Sequence, residues 1–223
     1  MSRTALERSS ADFAERLTKL LNSTVTDGAS IRTLLIRTGT VVLGAEVQRQ
    51  ARGRSPIRLR TARGLHLWLD VEALLFADDD GHLTVQKSTW ALLAGPQAAD
   101  EVLHYDYERG KDGYPEAYLQ VYGHNPSLEE LLAAAGRKRS RLHHLHLPVG
   151  GRRFRPALED LIEFLIDERL VEAKADSKLT LERSRTTYHD IQLLAAIRRR
   201  PSKSAEGLLD LGYGIKEPAI GGR

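Results

Sequence analysis

The sequence contains no cysteine and few aromatic residues. Cysteine is absent from all 223 positions, and Phe, Trp and Tyr together make up 6% of the chain. The absence of cysteine excludes disulfides, thiolate zinc sites, iron–sulfur clusters and a cysteine nucleophile, so any bound metal would need His and carboxylate ligands. The chain also lacks any apolar run near the roughly 18 residues that a membrane span needs, and its first residues lack the apolar core of a signal peptide. We therefore expect an intracellular, cytoplasmic protein with no membrane partner.

The proportions of hydrophobic and charged residues are those of a folded globular protein. Hydrophobic residues make up 41% of the chain and charged residues 28%, and wholesale disorder is not expected at such values. The length suits one core domain with appended helices better than two full domains. We predict an N-terminal helical segment over residues 1–60, a core domain over 61–173, and a C-terminal helix with a flexible tail over 174–223.

The first sixty residues favour helix. A capping-box pattern at Thr4 and Glu7, followed by an apolar stripe, predicts a helix over about residues 5–22. Between residues 31 and 45 the apolar side chains again follow helical spacing, although a Thr-Gly-Thr sequence and β-branched residues would also suit strands joined by a turn. The spacing favours a second helix there.

Three further helices are predicted towards the C-terminus. A capping pattern precedes a helix through residues 128–135, which Gly136 should end in a left-handed conformation. Pro156 opens a helix with one continuous apolar face. The last predicted helix covers about residues 187–200 and ends at Pro201. The tail that follows should be mobile or ordered by a partner.

The middle of the chain has the pattern of an antiparallel sheet. Short runs rich in aromatic and β-branched residues alternate with turn sequences, and they predict strands over about residues 65–76, 82–87, 90–94, 102–107 and 117–122. A further short strand is predicted over residues 142–147. The predicted fold class is therefore α+β, an antiparallel β-meander packed against amphipathic helices, with an N-terminal helical segment and a C-terminal helix plus mobile tail.

Positive charge is bunched along the chain, although the net charge is only +3. Residues 49–63 hold six arginines and no acid, residues 137–155 hold seven Arg or Lys and no acid, and residues 198–203 add four more. Arginine suits bidentate contact with phosphate and stacking on bases. Basic runs are also common as solvated protein surface, so these clusters indicate a nucleic-acid partner without establishing it.

Two histidine-bearing segments form the candidate site, HYDY at residues 104–107 and HHLH at residues 143–146. Because side chains alternate across a strand, His104 and Asp106 should share one face, and His144 and His146 should share another. If the two faces coincide, four titratable groups meet. Imidazole titrates near neutral pH, and a carboxylate can orient it and raise its pKa, so these four are candidate general acid–base residues.

Arginines beside HHLH would complete a metal-independent phosphodiesterase, for which no cofactor is required. The candidate phosphate or nucleic-acid contacts are Arg139, Arg141, Arg152, Arg153 and Arg155. One histidine would activate a ribose 2′-hydroxyl, another would protonate the leaving oxygen, and the arginines would stabilise the developing charge. Two other interpretations stay open. The histidines and Asp106 could hold a divalent metal ion, or they could fill a partly buried polar face.

Five tyrosines lie near these segments in the sequence, at Tyr105, Tyr107, Tyr114, Tyr118 and Tyr122. Such a set could stack nucleic-acid bases, as in proteins that bind single strands. Tyrosines at this spacing more often form the amphipathic layer of a sheet, and we favour that interpretation.

The order of these elements resembles the TumE-type toxins of bacterial toxin–antitoxin pairs. The resemblance covers roughly residues 65–170 and lies in strands that carry His104, Tyr105, Tyr107, His143, His144 and His146. It implies an intracellular bacterial protein that acts on RNA or on translation and is paired with a neutralising partner.

The residues and the resemblance together predict a protein that interacts with nucleic acid, with RNA as the favoured ligand, and that could be a ribonuclease-type hydrolase. The alternative is a non-catalytic binding or regulatory module, or a protein-interaction component of a toxin–antitoxin or defence operon. In that case the C-terminal helix and tail would contact the protein partner.

Overall fold

The computed structural model describes residues 2–37, 39–47, 55–62, 64–136, 138–139, 141–150 and 156–216. Within these residues the chain forms an eight-stranded antiparallel sheet and five α-helices, so the predicted α+β fold class is confirmed. The chain divides into two compact units, Met1–Glu182 and Arg183–Arg223. The whole sheet belongs to the first unit.

The helices are α1 (Arg3–Thr24), α2 (Pro126–Ala134), α3 (Leu158–Asp167), α4 (Ser177–Arg199) and α5 (Pro201–Asp210). The strands are β1 (Arg32–Arg37), β2 (Thr40–Gly44), β3 (Ile57–Arg58), β4 (Trp68–Ala77), β5 (Leu83–Leu93), β6 (Glu101–Glu108), β7 (Ala117–Val121) and β8 (Leu147–Pro148). The order across the sheet is β1-β2-β4-β5-β6-β7-β8, and β3 also pairs with β4. All of these pairings are antiparallel.

The hydrophobic core lies between one face of the sheet and the apolar sides of α1 and α3. Alternate residues of β4, from Leu69 to Leu75, belong to one cluster with buried leucines and isoleucines of the two helices. In α3 the buried positions include Leu161, Ile162 and Leu165, which recur at the spacing of one helix face. Each fully buried side chain of this size stabilises the fold by about 1.5–3 kcal/mol.

The N-terminal helix is present as predicted, but a different residue caps it. The hydroxyl of Ser2, rather than that of Thr4, accepts a hydrogen bond from the backbone N–H of Ala5 at 3.3 Å. At the other end, the side chain of Asn22 exchanges two hydrogen bonds of 2.8 Å with the backbone of Ala29. These bonds fix the turn that leads from α1 towards the sheet.

The second helix predicted in the N-terminal segment is wrong. Residues 32–37 and 40–44 form the hairpin of β1 and β2 instead, so the described part of residues 1–60 contains one helix and three strands. Gly39 has φ of 79° in the turn, a conformation that glycine adopts without a side-chain clash. Alternate side chains of β2, Val41 and Leu43, join the core cluster. Burial of Val41 and Leu43 against α1 and β4 therefore favours strands, although the spacing of the apolar residues also suits a helix.

The helix through residues 128–135 and the helix after Pro156 are confirmed as α2 and α3. The cap of α2 is Asn125, whose Oδ1 accepts from the backbone N–H of Leu128 at 3.1 Å. Gly136 follows with φ of 74°, as expected of a helix that ends in the left-handed region.

Three other boundaries differ from the prediction. The two strands expected at residues 82–87 and 90–94 are one strand, β5, because both of its neighbours pair with it through the polar sequence in its middle. The last helix begins earlier, at Ser177, and Pro201 both ends it and starts α5. Residues expected to be a mobile tail are thus helical as far as Asp210. Residues 217–223 lie outside the described residues.

Candidate functional site

Strands β6 and β7 place the polar residues of the candidate site on the face of the sheet opposite the helical core. In the antiparallel register, His104 lies opposite Gln120, and Asp106 lies opposite Tyr118. Tyr105, between the two polar residues of β6, packs against the core cluster. His104 and Asp106 therefore share a face, as strand alternation predicts, and Nε2 of His104 lies 3.8 Å from Oδ2 of Asp106.

His104 is buried, and both of its ring nitrogens have hydrogen-bond partners. Nδ1 is hydrogen-bonded to the carboxyl group of Glu101, and Nε2 lies 2.6 Å from the acceptor Oε1 of Gln120. The amide of Gln120 is held in this orientation because its Nε2 donates to the backbone carbonyl of His143 at 2.8 Å. Two acceptors on the ring, the carboxylate of Glu101 and Oε1 of Gln120, suit the imidazolium form, which donates from both nitrogens.

The charged form of His104 is favoured by its neighbours. Burial alone lowers the pKa of a histidine, but the hydrogen bond with Glu101 and the charges of Asp106 and Glu101 outweigh burial. The pKa of His104 is therefore raised above its ordinary value of 6.5. A proton on His104 is therefore stabilised at a buried position between the carboxyl groups of Glu101 and Asp106.

Glu101 reaches His104 because of an irregularity in strand pairing. Three residues apart on a regular strand, the two side chains would point to opposite faces. The register between β5 and β6 shifts between Leu92 and Leu93, so that Leu93 pairs with Glu101 and Leu92 pairs with Leu103. This bulge turns Glu101 to the polar face. The sequence pattern carries no signal for it.

Asp106 is held by two hydroxyl groups. The side chain of Thr89 on β5 donates to Oδ1 at 2.6 Å, and the phenol of Tyr118 on β7 donates to Oδ2 at 2.9 Å. Burial and the charge of Asp106 raise the pKa of Tyr118 well above its ordinary value of 10, so the phenol keeps its proton and remains a donor. Neither Thr89 nor Gln120 was predicted as a site residue. The register that brings them to the site cannot be read from alternation within one strand.

Two stacked tyrosine–histidine pairs lie beside this cluster. The rings of Tyr114 and His146 are 4.3 Å apart between centroids and inclined by 14°, and those of Tyr122 and His143 are 5.0 Å apart and inclined by 4°. The ring of Tyr118 meets His146 edge-on, with a centroid distance of 4.5 Å. We call Tyr114, Tyr122, His143 and His146 the stacking surface. All four rings are at least partly exposed.

The prediction of a strand over residues 142–147 is wrong. The prediction that His144 and His146 share one strand face is therefore also wrong. Leu142–His144 form a 3₁₀ turn, closed by hydrogen bonds of 3.0 Å from the N–H of His144 to Arg141 and from the N–H of Leu145 to Leu142. Only Leu147–Pro148 pair with β7.

The two histidine segments do meet, but β7 lies between them. His146 contacts the polar face through Tyr118, and His143 contacts it through Gln120 and Tyr122. The ring of His144 lies 4.3 Å from that of His143.

The candidate arginines lie in and around this turn. Arg139 and Arg141 are exposed, and Arg141 directly precedes the 3₁₀ turn. Arg152, Arg153 and Arg155 lie outside the described residues. Lys111 adds a further cation, because its Nζ lies 5.0 Å from the centroid of the Tyr114 ring.

The alternative of a divalent metal finds no ligand set among the residues described. In that part of the chain, no group of three or more His, Cys, Asp or Glu side chains is arranged to hold a metal ion. The cluster around His104 is closed instead by amide and hydroxyl hydrogen bonds.

In the described part of the chain, no helix is both long and apolar enough to cross a membrane. No family model, curated protein or solved structure matches this chain.

Proposed function

We propose that the protein binds single-stranded RNA through the stacking surface. The observation that carries this proposal is the pair of stacked tyrosine–histidine rings, Tyr114 with His146 and Tyr122 with His143, at the sheet edge beside exposed cations. Aromatic rings that are already ordered offer planar faces to unpaired bases. One base stacked on such a ring contributes about 1–3 kcal/mol to binding.

The polar cluster fixes the geometry of this surface. Gln120 holds the backbone of His143 while it accepts from His104, and Tyr118 holds the ring of His146 while it donates to Asp106. The rings are thus supported from a rigid sheet, and less conformational entropy is lost when a ligand stacks on them.

Exposed cations beside the rings supply contacts for the phosphate backbone. Lys138, Arg139 and Arg141 are exposed between α2 and the 3₁₀ turn. Lys111, which is paired with Glu108 at 3.1 Å, lies against Tyr114. Phosphate contacts by such residues give affinity without sequence preference, and they make binding sensitive to salt. Alternating rings and cations are typical of proteins that bind single strands.

Binding without catalysis is better supported than hydrolysis. A general base must accept a proton from the substrate, and both nitrogens of His104 are already occupied by hydrogen bonds with Glu101 and Gln120. The raised pKa of His104 also favours the form that cannot act as a base. Asp106 accepts two hydroxyl hydrogen bonds and is engaged in the same layer.

Fluorescence anisotropy with a labelled single-stranded RNA of mixed sequence tests the proposal. The variants Tyr122→Ala/His143→Ala and Tyr114→Ala/His146→Ala should each weaken binding about tenfold or more, since each removes one stacking platform. The control is His66→Ala, because His66 is an exposed histidine beside another aromatic ring, Trp68, away from the stacking surface.

Wild-type protein that fails to bind the RNA contradicts the proposal, as does a control variant that loses as much affinity as the two test variants. The same RNA is also run on a denaturing gel after incubation. RNA cleavage by the wild type that disappears in His146→Ala would show that the protein is a hydrolase and contradict binding without catalysis.

A second candidate function is contact with a protein partner through the C-terminal unit. Within the described part of this unit many apolar side chains are exposed, namely Ile191, Leu193, Leu194, Ile197, Leu208, Leu209, Leu211, Tyr213 and Ile215. Exposed apolar sets of this kind are typical of interaction surfaces. Co-expression with the product of an adjacent gene tests this function. A chain truncated after Arg200 that still binds that product at full affinity contradicts a role for α5.

A further inference from the structure

A cavity of about 870 Å³ lies at the end of the sheet farthest from the stacking surface. Its walls come from the turn after α1, the start of β1, the end of β2 and the segment around β3. The volume falls in the range of small-molecule and cofactor sites, roughly 300–1,000 Å³. Its described lining includes none of the residues proposed to bind RNA.

Among the described residues, three arginines line this cavity: Arg32, Arg58 and Arg60. Nε of Arg32 donates to the hydroxyl of Ser30 at 3.4 Å, and the guanidinium carbon of Arg58 lies 6.0 Å from the centroid of the Trp68 ring. Arg32 and Arg58 have exposed side chains. Two guanidinium groups are therefore accessible to a ligand.

The acidic residues of the cavity do not cancel this positive charge. Asp27 accepts from Arg60 at 3.0 Å and forms an ion pair with Lys174 at 2.6 Å, and contact with these two cations lowers its pKa. The single negative charge of Asp27 is thus shared between Arg60 and Lys174. Glu46 accepts from the hydroxyl of Ser55 at 3.0 Å. Among the described lining residues three arginines thus face two carboxylates, an excess of one positive charge.

The floor of the cavity is apolar. Ile57 and Leu59 are buried in the core cluster and also line the cavity, and Pro56 lies between them and the hydroxyl of Ser55. A ligand that fits would combine a flat, weakly polar part for the floor with an anionic part for the arginines. Inorganic phosphate alone would fill only a small part of the volume.

We propose that this cavity binds a nucleoside phosphate, with the phosphates on Arg32 and Arg58 and the base over Ile57, Pro56 and Leu59. Glu46 also lines the cavity, and its carboxylate, which accepts from Ser55 through Oε2, is the acceptor we assign to ribose hydroxyls or an amino group of the base. This site is distinct from the proposed RNA surface, since the two lie at opposite ends of the strand order.

Isothermal titration calorimetry with full-length protein tests this site, with ATP, GTP, inorganic pyrophosphate and adenosine as ligands. We expect at least one nucleoside triphosphate to bind, and adenosine and pyrophosphate to bind at least about tenfold more weakly, because each contacts only one part of the cavity. The variant Arg32→Gln/Arg58→Gln should lose about tenfold or more in triphosphate affinity and keep its RNA affinity.

The matched control is Arg3→Gln/Arg8→Gln, two exposed arginines near the start of the 22-residue helix α1. They lie about 30 Å along the helix from the turn that lines the cavity, and the triphosphate affinity should not change. If the double test variant fails to fold, Arg32→Gln alone gives the same comparison, because its side chain is exposed at the sheet edge.

Three results would overturn the proposal. The first is that neither triphosphate binds at millimolar concentration. The second is that adenosine binds as tightly as ATP. The third is that triphosphate affinity survives Arg32→Gln/Arg58→Gln but falls in Tyr122→Ala/His143→Ala, since the ligand would then occupy the RNA surface.

Discussion

The phenol of Tyr118 donates a hydrogen bond of 2.9 Å to Asp106 across the β6–β7 pair, while the edge of His146 packs on the same ring at 4.5 Å between centroids. One tyrosine thus joins the buried polar cluster to the stacking surface. Because Asp106 also accepts from Thr89 on β5, the link extends across three strands. Several consequences of this arrangement can be measured.

Removing the hydroxyl of Tyr118 should destabilise the fold. In Tyr118→Phe the carboxylate of Asp106 loses one of its two hydroxyl donors, and we expect the free energy of unfolding to fall by about 1.5 kcal/mol or more. Urea denaturation followed by tryptophan fluorescence measures the change. Tyr213→Phe is the control, because that side chain is exposed. Equal stability of the two variants would show that the bond contributes nothing.

Stability should depend on the protonation of His104. The raised pKa of His104 means that the folded state holds the proton more tightly than the unfolded chain does. This contribution is fully present below about pH 6.5 and is lost as the pH rises through the folded-state pKa. His104→Gln should therefore cost more stability at pH 6 than at pH 9.

The measurement is the free energy of unfolding of wild type and His104→Gln at several pH values. His124→Gln serves as the control, since its side chain is 74% exposed beside Glu129. A difference between wild type and His104→Gln that is the same at pH 6 and pH 9 would falsify the assignment of His104 as the buried cation.

Gln120 should control the order of the 3₁₀ turn. In Gln120→Leu the carbonyl of His143 loses its donor, so the backbone amides of His144 and Leu145 should exchange with solvent several-fold faster. Hydrogen–deuterium exchange with mass spectrometry reports on this segment. Gln86→Leu is the matched control, because Gln86 also donates to a backbone carbonyl, that of Arg109. Unchanged exchange at residues 144–145 would contradict the role of Gln120.

The salt dependence of RNA binding should follow the exposed arginines. Each phosphate contact to a single strand contributes about 0.7 to the slope of log affinity against log salt concentration. For Arg139→Gln/Arg141→Gln we therefore expect the slope to become shallower by about 1.4. Arg3→Gln/Arg8→Gln should retain the wild-type slope, and a slope that is equal in all three proteins would remove the two arginines from the interface.

Truncation of a buried side chain of α3 should destabilise the fold. Ile162 is fully buried against the sheet, so Ile162→Ala should lower the free energy of unfolding by about 2–5 kcal/mol. Leu131, on α2, is 67% exposed, and Leu131→Ala should change stability by less than about 0.5 kcal/mol. Thermal or urea denaturation separates the two. A small effect of Ile162→Ala would place α3 outside the core.

Helices with caps and continuous apolar faces could be predicted from the sequence, because their signals are local. The helices at residues 3–24, 126–134 and 158–167 all follow such patterns. The β1–β2 hairpin was missed because its apolar residues suit both a helix and a strand. Burial of Val41 and Leu43 against α1 decides between the two, and this contact is invisible to local spacing.

Only part of the site could be predicted from the sequence, because alternation along one strand is a local signal and register between strands is not. Alternation along β6 placed His104 and Asp106 together, since it needs only one strand. Gln120 and Tyr118 come from register with β7, and Glu101 comes from the bulge opposite Leu93. Register depends on loop lengths and on long-range pairing. The HHLH segment was misassigned because four residues are too few to distinguish an alternating strand from a 3₁₀ turn.

The bulge opposite Leu93 separates two kinds of constraint within β6. From Leu103 onwards, odd-numbered positions such as Tyr105 pack on the aliphatic side, and even-numbered positions such as His104 and Asp106 form the polar layer. A substitution at an even-numbered position leaves the aliphatic packing of the helices untouched. The polar layer and the aliphatic packing of β6 can therefore be altered independently of each other by substitution.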